Sequence, residues 1–191
     1  MLRILAVNGS LRDGSHNGAL LRAAATLLPR DATLVELSGL GSVPPYSEAD
    51  DVAAPPPAVA ALRASLAAAD AVLFSTPEYN ASIPGQLKNA LDWASRPFPA
   101  NALRGTPAAV IGASTGMFGA VWAQADLRRV LGTIGAQVID AELPVAFAHE
   151  RFDATGQLID DDLARDLADI LAALVARARG QDHLGEARLA A

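Results

Sequence analysis

No cysteine occurs in the 191 residues, which excludes disulfides, thiolate nucleophiles, iron–sulfur clusters and cysteine-bound zinc together. A single lysine, Lys88, stands in the whole chain and no Gly-x-Gly-x-x-Gly run occurs, so neither common glycine-rich nucleotide signature is available. The three histidines, His16, His149 and His183, lie far apart and none has metal-ligand spacing. Positive charge is scarce: 15 basic against 21 acidic residues leave a net charge of −6 and a pI near 4.9. A sequence-independent grip on nucleic acid needs a basic surface, so that class drops out. No stretch approaches the roughly 18 uninterrupted apolar residues of a membrane span. The apolar run Ile4–Val7 is stopped by Asn8-Gly9, too early for a signal peptide. These absences point to a soluble cytoplasmic protein with no membrane or nucleic-acid partner and no metal.

What is present suits one packed domain. Hydrophobic residues make up 51% of the chain and charged residues 19%, a balance against disorder, and 42 alanines favour closely packed helices. Short apolar runs alternate with helical patterns. Strands are expected at Leu2–Val7, Thr33–Leu37, Ala71–Ser75, Pro107–Ala113 and Gln137–Leu143. Helical spacing marks Leu20, Leu21, Ala24, Leu27 and Leu28, then Val59, Leu62, Leu66 and Ala69. Pro84 opens a third helix reaching about Trp93, Leu127–Ile134 carry a fourth, and a last helix follows Asp160-Asp161-Asp162. Ser38–Pro57, rich in Pro, Asp and Ser, reads as a long surface loop of a kind that is usually functional or mobile. The strict β–α alternation implies an α/β fold, a parallel sheet with helices on both faces, over residues 1–180; residues 181–191 are expected to be a loosely held tail.

Ligands of such sheets bind outside the carboxyl ends of the strands. The loop after the first strand, Gly9–Asn17, joins two glycines, the hydroxyls of Ser10 and Ser15, the Arg12 guanidinium and Asn17 at a helix N-terminus, which is equipment for a phosphate. The same residues also suit a turn capped by Ser15 or Asn17 with Arg12 solvated. His16 lies in this loop, where its backbone N–H matters more than its ring, and Asp13 opposes an anion and should point outward. The loop after the third strand, Thr76–Gly85, is stiffened by Pro77 and Pro84 and offers Glu78, Tyr79 and Asn80, a setting for a flat heterocycle or simply a well-capped turn. The loop after the fourth strand, Ser114–Ala120, has Gly116 and Gly119, which let backbone approach a ligand closely.

Together these loops resemble those of the NAD(P)H-dependent FMN reductases of flavodoxin-like fold, which include quinone, chromate and azo-dye reductases. The matching stretches are Gly-Ser-Leu-Arg-x-x-Ser-x-Asn at Gly9–Asn17, Pro-Glu-Tyr-Asn-x-Ser-x-Pro-Gly-x-Leu-Lys-Asn-Ala-Leu-Asp-Trp at Pro77–Trp93, and Ser-x-Gly-x-x-Gly at Ser114–Gly119. The resemblance implies a three-layer sandwich with a five-stranded parallel sheet of order 2-1-3-4-5. It implies FMN with its phosphate at Ser10, Arg12, Ser15, His16 and Asn17. The isoalloxazine would lie against Pro77, Glu78, Tyr79 and Asn80, with Ser114, Gly116 and Gly119 closing its other side. Hydride would come from NADPH or NADH and pass to a quinone-type, flavin, azo or metal-oxyanion acceptor by a ping-pong scheme. The chain departs from the family where a second Gly and an Arg often follow the third motif: here stand Ala120 and Trp122. Rival readings are a non-enzymatic FMN electron carrier, a flavodoxin proper, and a ligand-free regulatory domain on the same scaffold.

The resemblance also suggests a homodimer or homotetramer. At about 100° per residue, Asn89 and Trp93 fall at about 200° and 240° from Leu87, opposite the core stripe, and Trp122 falls at about 220° from Leu127. Both tryptophans are thus expected to face outward, and Trp93 to be buried by a second subunit.

Overall fold

The computed structural model describes the backbone of residues 1–189 and the side chains of residues 1–180. The expectation of a loose tail at 181–191 therefore concerns side chains outside the described residues. Strand β1 (Leu2–Asn8) leads to helix α1 (His16–Leu27), then β2 (Ala32–Glu36), α2 (Pro57–Ala67), β3 (Ala71–Thr76), α3 (Gly85–Ala94), β4 (Pro107–Ala113) and α4 (Val121–Ile134). Two short strands follow, β5 (Gln137–Val138) and β6 (Pro144–Val145), and the long helix α5 (Asp161–Leu189) closes the chain. The sheet runs β2-β1-β3-β4-β5, all parallel, with β6 also paired to β4.

Alternation along the central strands decides which helices lie on which face. Leu5 and Val7 of β1, Val72 and Phe74 of β3, and Ala108 and Val110 of β4 pack with α2, α3 and α4. Ile4 and Ala6, Ala71 and Leu73, and Ala109 and Ile111 point the other way, onto α1 and α5. The result is the expected three-layer α/β/α sandwich. Every residue of β3 and β4 is buried, as a parallel sheet covered on both sides requires. Among the described residues no helix is long and apolar enough to cross a membrane.

One strand departs from expectation. The run 137–143 leaves the ladder after Ile139 and returns at Pro144. Asp140 and Glu142 interrupt it, turning out to meet Arg128. Leu143 donates its N–H to Oε1 of the buried Gln124 at 3.0 Å instead of to a strand. Of the expected fifth strand, Gln137–Leu143, only Gln137–Val138 is assigned as strand; the rest turns away, and the second short strand, Pro144–Val145, begins just past its expected end.

The expectation for Trp93 is corrected outright. It does lie on the face of α3 opposite Leu87, but that face is covered by the chain itself and Trp93 is 0% exposed. The segment between β2 and α2 folds over α3. Gln86 Nε2 donates to the Leu40 and Val43 carbonyls at 2.7 and 2.9 Å. Asn89 Nδ2 and Trp93 Nε1 both donate to Pro44 O, at 2.8 and 2.9 Å, and Tyr46 N donates to Asn89 Oδ1 at 2.7 Å. Tyr46 meets the Trp93 ring edge-on with centroids 4.9 Å apart, and Arg63 stands over the same ring. The segment expected as a long surface loop, functional or mobile, is a strap over α3, pinned by Gln86, Asn89 and Trp93 at three- and four-residue spacing along that helix.

Candidate cofactor site

The three loops singled out from the sequence stand side by side at the carboxyl edge of β1, β3 and β4. Their backbone is interlocked. Gly9 N donates to Ser75 O at 2.8 Å, and a Cβ at Gly9 would stand 3.0 Å from Leu87 Cδ2, 3.3 Å from Ser75 O and 3.4 Å from Pro77 Cδ, so a side chain there would crowd the first loop against the second.

The first loop is built around Ser15, the N-cap of α1. Its Oγ accepts from Gly18 N at 3.1 Å and from Asn8 Nδ2 at 3.4 Å, which leaves the hydroxyl proton to be donated elsewhere. Asn8 Oδ1 accepts from Ser10 N at 3.0 Å, so Asn8, which the sequence reading passed over, braces both serines. Leu11, Arg12, Asp13 and Gly14 are exposed; among the described residues the Arg12 guanidinium forms no ion pair, and nothing lies within 4 Å of where a Gly14 Cβ would stand. A cleft of about 320 Å³ runs from this loop to the turn after β2, lined by Ser10, Arg12, Ser15, Arg22 and Leu37 among others. First-turn N–H groups of α1, two hydroxyls and an unpaired guanidinium make a donor set that fits a phosphate monoester.

Asn17 takes a different part from the one the resemblance implies for its amide. Its Nδ2 donates to Ala113 O at 2.9 Å, and its Oδ1 accepts from Ala113 N at 3.0 Å and Ser75 Oγ at 2.8 Å. The side chain is committed to joining α1 to the ends of β3 and β4, and what it leaves at the helix start is a backbone N–H. The His16 ring stacks on Phe152 with centroids 5.9 Å apart, and burial, then the neighbouring Arg12 and His149, hold it below the ordinary imidazole range. The ring is engaged with Phe152, and the His16 backbone stands at the start of α1.

The second loop closes as a tight reversal: Tyr79 N donates to Ser82 O at 2.9 Å and Ser82 N to Tyr79 O at 3.1 Å, with Asn80 and Ala81 both at positive φ. Tyr79 and Asn80 are exposed at its tip. The Glu78 carboxylate accepts from Trp122 N at 3.0 Å and Ala123 N at 3.1 Å, capping α4, whose own N-cap position is Ala120 and offers no side chain. Ser82 Oγ donates to Asp126 Oδ2 at 2.6 Å; that hydroxyl, then Arg129, holds the Asp126 carboxyl below its usual range. Two carboxylates thus fasten the second loop to the first turns of α4.

In the third loop Ser114 N donates to Val145 O and Phe147 N to Gly116 O, both near 3 Å. Gly116 is exposed, with its N–H turned to Ser114 Oγ at 3.1 Å. Gly119 is buried at φ 58°, and a Cβ there would lie 2.5 Å from the Pro144 carbonyl carbon, so its glycine answers to β6 rather than to a ligand. Trp122 faces outward, as its helical angle indicates.

A family model described as NADPH-dependent FMN reductase matches residues 2–150. An NAD(P)H-dependent FMN reductase from Pseudomonas aeruginosa is 44% identical over 167 residues, covering 87% of this chain and 89% of that one. A 2-hydroxy-1,4-benzoquinone reductase from Burkholderia sp. is 40% identical over 162 residues, with 84% and 87% covered. Among solved structures, FerB, a flavoenzyme NAD(P)H:(acceptor) oxidoreductase from Paracoccus denitrificans, aligns with TM-score 0.85 at 35% identity over 94% of this chain and 98% of that one. A flavodoxin from Pseudomonas aeruginosa shares the fold alone, at 19% identity and TM-score 0.57 over 91% and 99% of the two chains. With three-quarters of its length matched by the family model and its loops in the family's order, the chain belongs to the NADPH-dependent FMN reductase family.

Proposed function

We propose that the protein is an FMN-dependent oxidoreductase that takes hydride from NADPH or NADH and passes the electrons to a quinone-type, flavin, azo or metal-oxyanion acceptor in a ping-pong scheme. The observation that carries the reading is the donor set of the first loop, an exposed Arg12 with no ion pair among the described residues beside two serine hydroxyls at the start of α1, held against two further loops that end in exposed Tyr79, Asn80 and Gly116. FMN, when bound, supplies the redox chemistry; the protein binds and orients it. Ser10, Arg12, Ser15 and the N–H groups of His16 and Asn17 would hold the phosphate. Pro77, Tyr79, Asn80, Ser114 and Gly116 would line the ring, while Glu78 and Gly119 hold the second and third loops in place. The family resemblance supports a homodimer or homotetramer, though the subunit contact does not use Trp93; the cytoplasmic setting rests on the short N-terminal apolar run of the sequence. Quinone reductases among the relatives favour this enzyme over a non-enzymatic flavodoxin.

The test is to titrate apo-protein with FMN and with riboflavin, then add NADPH and a quinone. The flavin should bleach and recover, with parallel initial-rate lines over both substrates. Arg12→Ala should weaken FMN by about one to two decades, the loss of one charge-assisted bond, and leave riboflavin unchanged. Equal weakening of both ligands would overturn the phosphate assignment, and absence of NAD(P)H oxidation would return the case to the electron carrier.

A further inference from the structure

The cleft beside the first loop is larger than a phosphate monoester needs. Its volume is about 320 Å³, within the roughly 300–1,000 Å³ of small-molecule sites. Ser10, Arg12 and Ser15 account for the loop end; beyond them the lining continues to Glu36 and Leu37, where β2 ends, and to Gly41, and Arg22 reaches in from α1. Arg22 Nη1 and Ser15 Oγ flank one notch in α1, standing 3.6 and 3.3 Å from the point a Gly18 Cβ would occupy. Opposite charges in one cleft gain by closing on each other. Yet among the described residues neither Arg12 nor Arg22 has an ion-pair partner, and the exposed carboxylates of Glu36 and Asp13, which line the same cleft, are equally unpaired. Leu11, 57% exposed, leans across to Gly41, where a Cβ would meet both its methyl carbons at 3.5 Å, so the cleft has an apolar wall as well.

We infer that this cleft is an adenylate subsite, taking an adenosine 5′-phosphate with both ribose hydroxyls free, as carried by FAD or by NADH. The Arg22 fork meets the phosphate, Glu36 accepts from the ribose hydroxyls, and the base lies against Leu11 and Leu37. An acidic residue where the second strand ends beside the first loop is the device by which doubly wound sheets hold a free ribose diol. The same carboxylate repels a 2′-phosphate, so the adenylate of NADPH is the poorer occupant. The inference goes beyond the flavin reading above and rests on it for what fills the loop end of the cleft.

The probes are 5′-AMP and adenosine 2′,5′-bisphosphate, titrated by calorimetry into the full chain with and without FMN, and into Arg22→Ala and Glu36→Gln. The protein should bind 5′-AMP more tightly than the 2′-phosphorylated form. Arg22→Ala should weaken 5′-AMP by about tenfold, the loss of one charge-assisted contact, and Glu36→Gln should remove the preference between the two probes. Absence of 5′-AMP binding, or binding that Arg22→Ala leaves unchanged, overturns the subsite. Two further arms identify the source. If it is FAD, the apo-protein binds FAD more tightly than FMN, and Arg22→Ala weakens FAD by about tenfold while FMN stays within about twofold. If it is NADH, Arg22→Ala raises KM for NADH by about tenfold in the FMN-loaded protein and leaves kcat unchanged. Failure of both arms overturns the assignment to either dinucleotide, and an equal loss of FMN and FAD moves Arg22 to the flavin phosphate and overturns its role here. A protein that takes up no flavin overturns the flavin reading instead, and the 5′-AMP titration, which needs no flavin, tells the two failures apart.

Discussion

The buried amide of Asn17 makes three hydrogen bonds: it donates to Ala113 O and accepts from Ala113 N and Ser75 Oγ. Asn17→Ala leaves an N–H, a carbonyl and a hydroxyl without partners in a region closed to water, and a buried unsatisfied group costs roughly 1–3 kcal/mol. Partial relaxation brings the expected loss to about 3 kcal/mol, read as a fall in the urea midpoint of the apo-protein with the slope unchanged. An unchanged midpoint would mean that the amide is dispensable. The sequence placed Asn17 in the correct loop, because Asn at a helix start after a strand and a glycine is a strong local signal. Its partners are 58 and 96 residues away, and an amide suits a phosphate and a strand end equally well, so its task was not legible locally. Gly119 misleads in the same way: its motif spacing is plain, but the backbone of Pro144 that forces the glycine belongs to a return of the chain that no spacing encodes.

At the scale of elements, α4 starts without a cap of its own. Ala120 occupies a left-handed conformation at φ 64°, and no side chain within the helix reaches the first N–H groups. Glu78 meets that need from another loop, and its charge lies where the helix dipole favours an anion. Glu78→Ala should therefore destabilise the apo-protein by about 1–2 kcal/mol, the range for losing an N-cap. Because the lost contact also ties the loop of Tyr79 to α4, FMN affinity should fall, and riboflavin affinity with it, in contrast to Arg12→Ala. A variant that loses FMN but keeps riboflavin would place Glu78 at the phosphate instead. Strong periodicity made the helices and the four long strands legible. The fifth strand reads as continuous over Gln137–Leu143, whereas Asp140 and Glu142 answer Arg128 from the turn that interrupts it.

For the whole molecule, the covered face of α3 decides what an outward tryptophan means. Angular position on a helix identifies the face but not its occupant, and here the occupant is the chain's own segment 38–56. Gln86, Asn89 and Trp93 grip it through five hydrogen bonds to Leu40, Val43 and Pro44 and one from Tyr46 to Asn89. Arg63 ties the same layer together, donating to Trp93 O at 3.1 Å and to Asp51 at 2.8 Å. Trp93→Ala removes a fully buried ring and the donor to Pro44, which for a large aromatic costs roughly 3–5 kcal/mol. The loss should be local before it is global, since Trp93 is the large ring on which Tyr46 and Arg63 rest, while the strap's remaining anchors are Leu40, Val43 and the bonds from Gln86 and Asn89. Limited proteolysis should then cut within Ser38–Pro57 well before the rest of the chain, where the unmutated protein resists. The mass by light scattering, whatever its value, should not change, because Trp93 meets no second subunit. Cleavage that begins elsewhere, or a shift in mass without new cleavage, would restore the subunit contact that the buried ring now speaks against.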